Sequence, residues 1–161
     1  MMACNLDMNY CSSVNPSTSE AVRYKYDGSS YISEGTITLT DCPPGSCTII
    51  ANYITDDNSK QLMYTNNQEI LVYSYSNGSI SLIQTITISD PLVSNSYTGQ
   101  KMIYGPINEN IFFTTTRGGL SGMKAYVYTF SGGQYTQSNS LNYGAFGAVS
   151  YTNYTQTLMI N

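Results

Sequence analysis

The sequence predicts an all-β chain of β-propeller-like, four-stranded blades, about three per chain, starting and ending in mid-blade. Three observations carry that reading: a composition poor in helix formers, an internal repeat, and Gly-containing turn dipeptides between alternating aromatic runs. Of 161 residues, Ser, Thr and Asn supply 54, whereas Leu numbers 9 and Ala 6. Helix formers are therefore scarce and strand and turn formers abundant. Leu, Ile, Val and Phe together number 33, a fraction at which disorder competes with folding, but disorder also requires high net charge. Only 16 residues are charged and the net is -4, while 16 tyrosines add large side chains that the aliphatic count misses.

The repeat defines the elements. Tyr24-Lys25-Tyr26-Asp27-Gly28-Ser29-Ser30-Tyr31 recurs 49 residues later as Tyr73-Ser74-Tyr75-Ser76-Asn77-Gly78-Ser79-Ile80, and 55 residues after that as Tyr128-Thr129-Phe130-Ser131-Gly132-Gly133-Gln134-Tyr135. Each copy runs into a second β-rich stretch, Thr36–Leu39, Thr85–Ile88 and Ser140-Leu141. Asp-Gly, Asn-Gly and Gly-Gly accept the positive φ of tight turns, so each copy reads as a hairpin. Between these hairpins lies a second unit: a short run, a polar turn and another apolar run. Its copies are Thr48–Ala51 with Leu62–Thr65, Met102–Tyr104 with Ile111–Thr114, and Ala148–Tyr151 with Leu158–Asn161. Two hairpins per period make four strands, and tandem modules of about 50 residues are what propeller blades look like in sequence.

With strands lettered a to d from the axis outward, the boundaries are a Cys-containing extension over 1–21, then c-d strands over 22–39. Complete a-to-d sets follow over 47–88 and 101–141, and an a-b pair over 148–161. Three blades fall short of the roughly four to eight of a closed ring. The expected partners are accordingly protein: a second copy joined head to tail, each C-terminal a-b pair completing the neighbour's c-d pair, or the remaining blades of a longer propeller.

Asp57-Asn58-Ser59-Lys60-Gln61-Leu62-Met63-Tyr64-Thr65-Asn66, followed by Ile70-Leu71-Val72-Tyr73-Ser74-Tyr75, resembles the Tyr-Val-Thr-Asn repeat of lactonase-like and surface-layer β-propellers. The resemblance runs from Tyr24 to the C-terminus in three uneven copies and implies blades. Lactonase members act through ionisable or metal-binding residues in a central pocket, and no such set can be matched to positions here.

Chemistry is bounded mainly by what the composition lacks. There is no His, the commonest general base and metal ligand, so no catalytic residue, metal or cofactor is expected. Six scattered Lys and Arg leave no electrostatic footprint for nucleic acid or anionic lipid, and no stretch approaches the roughly 18 apolar residues of a membrane span. Asp56-Asp57-Asn58 opens like a calcium loop but lacks that loop's Gly and terminal Glu, and reads as a turn. Cys42-Pro43-Pro44-Gly45-Ser46-Cys47 is a rigid turn that brings two sulfurs together. A Cys42 to Cys47 disulfide is favoured over zinc, whose sites prefer tighter spacings, and Cys4 and Cys11 are the remaining disulfide candidates. Disulfides and low charge favour an extracellular or surface setting, although no signal peptide is visible over Met1 to Val14.

The best binding candidates lie on the b-to-c and d-to-a loops. Asn66, Asn67 and Glu69, with Asp90 and Tyr97 from the segment 90–97, offer a polar, Tyr-bearing recognition surface. Arg117-Gly118-Gly119 and Lys124 make a basic, Gly-rich loop on the same face, and the repeated tyrosines read as blade cores. The function expected is a non-catalytic binding or structural module at a cell or particle surface, assembling through open blade edges, with protein or carbohydrate as ligand. The alternatives are a propeller-type lactonase or hydrolase fragment and a filament-forming subunit.

Overall fold

The computed structural model describes residues 2–5, 7–15, 17–76, 79–88, 102–108, 111–118 and 122–143. Those residues form twelve strands and no helix. Blade 1 comprises β1 (Met2–Cys4), β2 (Tyr10–Asn15), β3 (Glu20–Tyr26) and β4 (Tyr31–Thr38). Blade 2 comprises β5 (Ile49–Ile54), β6 (Lys60–Thr65), β7 (Glu69–Ser76) and β8 (Ser79–Thr87), and blade 3 comprises β9 (Met102–Asn108), β10 (Ile111–Gly118), β11 (Gly122–Ser131) and β12 (Gln134–Tyr143). Every blade is antiparallel with its strands in sequence order, as hairpins joined in series require. The chain divides into two compact units, Met1–Ser89 with blades 1 and 2, and Asp90–Asn161 with blade 3.

The N-terminal boundary differs from the sequence reading. Residues set apart as an extension supply β1 and β2, so the c-d hairpin of blade 1 is completed by its own a and b strands rather than by another chain. The signal was weak because Tyr10-Cys11-Ser12-Ser13-Val14-Asn15 has little apolar alternation. The pairing is pinned instead by a cross-strand disulfide between the directly opposed Cys4 and Cys11. The a-b pair expected over 148–161 lies outside the described residues.

The repeat extends to backbone detail. In blade 1 the a-to-b turn bonds Asn5 N to Tyr10 O, Met8 N to Asn5 O and Tyr26 N to Asn9 O; in blade 2 the same three bonds run from Thr55 N to Lys60 O, Asn58 N to Thr55 O and Tyr75 N to Ser59 O. Met8 and Asn58 take the same left-handed conformation, with φ of 57° and 60°. At the other end Ser19 and Gln68, φ 51° and 65°, each accept a backbone bond from the chain leaving the d strand, at Leu39 and Ile88. All three c-d hairpins carry a bulge at the same place, between Arg23 and Tyr24, Val72 and Tyr73, and Val127 and Tyr128. Gly132 and Gly133, φ 61° and 88°, make the tight turn that their dipeptide predicts. The loop after Tyr26 is longer, four residues closed by Asp27, whose carboxylate accepts from the Ser29 and Ser30 amides. Asn77-Gly78 lies outside the described residues.

Blades 1 and 2 share one core. The side of blade 2 that meets blade 1, its front, presents Gln61 and Met63 from β6 and Leu71, Tyr73 and Tyr75 from β7. The back of blade 1 presents Ser12, Val14, Ala21 and Arg23. Val14, Ala21, Leu39, Cys42, Cys47, Ile49, Met63, Leu71 and Tyr73 form the buried cluster between them, with Ile37, Ile80 and Leu82 packed against it. One polar bridge crosses the seam at Gln61, whose side-chain amide donates to Ser12 Oγ at 2.7 Å and, within blade 2, to Asn52 Oδ1 at 3.0 Å.

Candidate functional site

Two ends of the first unit hold the polar and aromatic groups that face outward. The loop end is built from the β4–β5 connection and the β6–β7 turn. A disulfide closes Cys42 to Cys47, both sulfur-bearing residues buried in the core, while Pro43, Pro44, Gly45 and Ser46 between them are exposed. The four cysteines are thus oxidised in pairs, which removes the zinc reading. Asn66 ties the turn to this loop by accepting from Thr48 N at 2.8 Å and donating its own N–H to Thr48 O at 2.9 Å. Asn67 Nδ2 reaches Ser46 O at 3.4 Å, and the Glu69 amide donates to Thr65 Oγ1 at 3.3 Å. The result is a cross-braced platform of exposed Asp41, Pro43–Ser46, Thr48, Asn66 and Asn67, with Glu69 half-buried at its edge.

The structure brings Asn66, Asn67 and Glu69 together and gives the two asparagines a bracing role. Asp90 and Tyr97 lie outside the described residues. Arg117 and Lys124 stand on β10 and β11, where Arg117 pairs in register with Met123, and Lys124 with Thr116. They therefore stand on paired strands on either side of residues 119–121, which lie outside the described residues.

The opposite end, formed by a-to-b turns and c-d hairpin tips, holds what the sequence reading passed over. Arg23 is 1% exposed and sits between the blades. It donates through Nη2 to Asn58 Oδ1 and lies over the Tyr75 ring, 3.8 Å from guanidinium carbon to ring centroid. Its Nε and Nη1 are buried with no hydrogen-bond partner among the described residues. Burial lowers its pKa, and the neighbouring Tyr75, Glu34 and Tyr10 oppose that shift. Position alone gave the only sequence signal: Arg23 falls where the later copies carry Val72 and Val127.

In Asp56-Asp57-Asn58 the Asp57 carboxylate closes the turn, accepting from Thr55 Oγ1 at 2.6 Å and from Ser59 N at 2.9 Å. Burial works to raise its pKa, but the hydroxyls of Ser59 and Thr55, the Ser59 amide and the charge of Lys60 outweigh it and hold the group below the usual carboxylate range. On blade 1, Tyr26 and Tyr31 form a cross-strand ring pair with centroids 5.2 Å apart, and Tyr31 Oη donates to Met8 O at 2.6 Å. Phe130 and Tyr135 make the same pair on blade 3 at 4.9 Å.

Compared by sequence, the chain matches no known family and no curated protein. Compared by structure, it matches proteins of the β-propeller class, and this is the class its blades define. Hsv2 of Kluyveromyces marxianus superposes with a TM-score of 0.63 at 10% identity, over 88% of this chain and 45% of that one. A Pseudomonas aeruginosa periplasmic gluconolactonase, PpgL, gives 0.61 at 10%, over 90% and 40%. KlAtg21, solved in complex with the coiled coil of AgAtg16, gives 0.63 at 13%, over 88% and 41%. The chain is therefore a propeller-type chain spanning less than half the length of these structures. WD40-type and lactonase-like propellers stand together among the matches, so the Tyr-Val-Thr-Asn repeat is not singled out.

Proposed function

We propose that this chain is a non-catalytic, propeller-type binding module that contacts a protein partner through its loop end, in an extracellular or surface setting. The carrying observation is the bracing of the β6–β7 turn onto the disulfide-closed loop by Asn66 and Asn67. Such a platform is ordered before it meets a partner, so association costs little conformational entropy. Its exposed groups are amides, hydroxyls, prolines and one carboxylate, a polar surface suited to hydrogen-bonded recognition. Glu69 extends it. The two disulfides support an oxidising compartment. Absence of His from the whole chain weighs against the lactonase alternative.

The test is affinity capture from the native extracellular material with wild type and an Asn67→Ala/Glu69→Ala double variant, alongside a glycan array. A protein retained by wild type and lost by the variant is the expected result. Retention by both rejects the loop end, and saturable glycan binding with no protein capture replaces protein by carbohydrate as ligand.

A further inference from the structure

The repeat makes each position of blade 2 a guide to blade 1. The front of blade 2 is covered by blade 1 and closed at its rim by a clasp, in which Arg23 donates to Asn58 and lies over Tyr75. The front of blade 1 presents the equivalent positions Cys11, which is buried, and Ser13, Val22, Tyr24 and Tyr26, with Met8 where blade 2 has Asn58 and Tyr31 where it has Ile80. This front is open within the first unit. Tyr73 is 4% exposed, whereas its counterpart Tyr24 is half-buried; Tyr26 and Tyr31 are each 39% exposed and Met8 is 60% exposed. Three of the six exposed large hydrophobics of the described residues thus meet at one rim.

The chemistry of that rim selects its occupant. A back face that fits blade 2 brings a cation to a polar acceptor and a ring. The rim of blade 1 has the ring, Tyr26, but Met8 in place of the acceptor, so it calls for an apolar residue at the Arg23 position. Blade 3 has one: Val127 immediately precedes the same bulge as Arg23, and it is half-buried, as is Thr129 two residues on.

We infer that the front of blade 1 is a docking face for blade 3 of a second copy of this chain, head to tail, with Val127 of that copy seated between Met8 and Tyr26. The contact continues the blade 1 to blade 2 interface, with an apolar clasp in place of a cationic one. It goes beyond the loop-end reading, since it uses a blade face and needs no residue of the platform. It also replaces the strand-completion route to assembly, because β1 and β2 already complete blade 1.

Sedimentation velocity over a concentration series tests it on the chain as it stands. The wild type is expected to associate reversibly, and Met8→Asp and Val127→Arg each to weaken association by about tenfold or more. The double variant Met8→Asn/Val127→Arg, which rebuilds the clasp of Arg23, Asn58 and Tyr75 across the junction, is expected to recover it. Asn67→Ala and Glu69→Ala leave the mass unchanged, which separates this contact from the loop-end one. A wild type monomeric at every concentration, or association unmoved by Met8→Asp at its exposed position, overturns the proposal.

Discussion

Blades 1 and 2 have the same strand order, a-to-b turn, bulge and left-handed residues, yet they differ in what their fronts do. On blade 2 the front residues Met63, Leu71 and Tyr73 are buried to within 4% by the blade before it. On blade 1 the residues that stand in those places, Ser13, Val22 and Tyr24, are half-buried. The a-to-b turns show the same contrast: Asn58 holds a buried arginine, and Met8 in the identical backbone conformation lies exposed. The lesson is that the hydrogen-bonded frame of a blade is local, set by its own hairpins, while the value of a given side chain depends on whether a neighbour covers it.

That contrast can be broken most sharply at the repeated tyrosine. Tyr73→Ala removes a ring from the inter-blade core and is expected to cost about 3–5 kcal/mol, whereas Tyr24→Ala, on the open front, is expected to cost about 1 kcal/mol. Urea midpoints with unchanged m-values would measure both. Measured at concentrations where the chain is monomeric, equal losses would mean that the front of blade 1 is covered within a single chain.

At the turns, Asn58→Gly keeps the left-handed backbone but takes away an acceptor of the buried Arg23, with an expected loss of about 1–3 kcal/mol. Met8→Gly, at the same place in blade 1, is expected to stay within about 0.5 kcal/mol of wild type in the same assay. Removing the Cys42–Cys47 bridge as Cys42→Ser/Cys47→Ser frees a short loop and is expected to cost about 2 kcal/mol from chain entropy. It should also loosen the platform that Asn67 braces, visible as faster amide exchange at Thr48 and Asn66.

The smallest effect is the acid response of the blade 2 turn. The folded-state pKa of Asp57 lies below its unfolded value, so its contribution is fully present above the ordinary carboxylate pKa and is lost as pH falls through the folded value. Asp57 is exposed and solvent screens its charge, so Asp57→Asn should lower stability by less than about 1 kcal/mol near neutrality. The gap should close as the pH is taken down through the acid range, and a gap that stayed constant would show that charge is not what the turn uses.

Much of this was legible in the residues. The hairpin of Tyr73 to Ile80 and its two copies announced themselves because Gly turns and period-two aromatics are local signals. Cys42 to Cys47 was readable because two prolines and a glycine force the chain to turn back. β1 and β2 were not, since Met2-Ala3-Cys4 and Tyr10–Asn15 carry too few apolar residues to mark strands, and a disulfide between facing residues supplies what the pattern lacks. Asn66 and Asn67 read in the sequence as polar loop residues, but their bracing of the Cys42–Cys47 loop joins segments about 20 residues apart, and spacing does not reveal it. Arg23 was passed over because a charged residue in a strand ordinarily points to water.

The sequence by itself determined the all-β class, the four-strand period and the tight turn at Gly132-Gly133, because each depends on residues close together in the chain. Only the tertiary structure decided which face of each blade is covered, where blade 1 begins and that Arg23 is buried against Tyr75. Those outcomes depend on packing between strands that a period-two pattern cannot order, since alternation fixes that two faces exist and leaves open which neighbour each one meets.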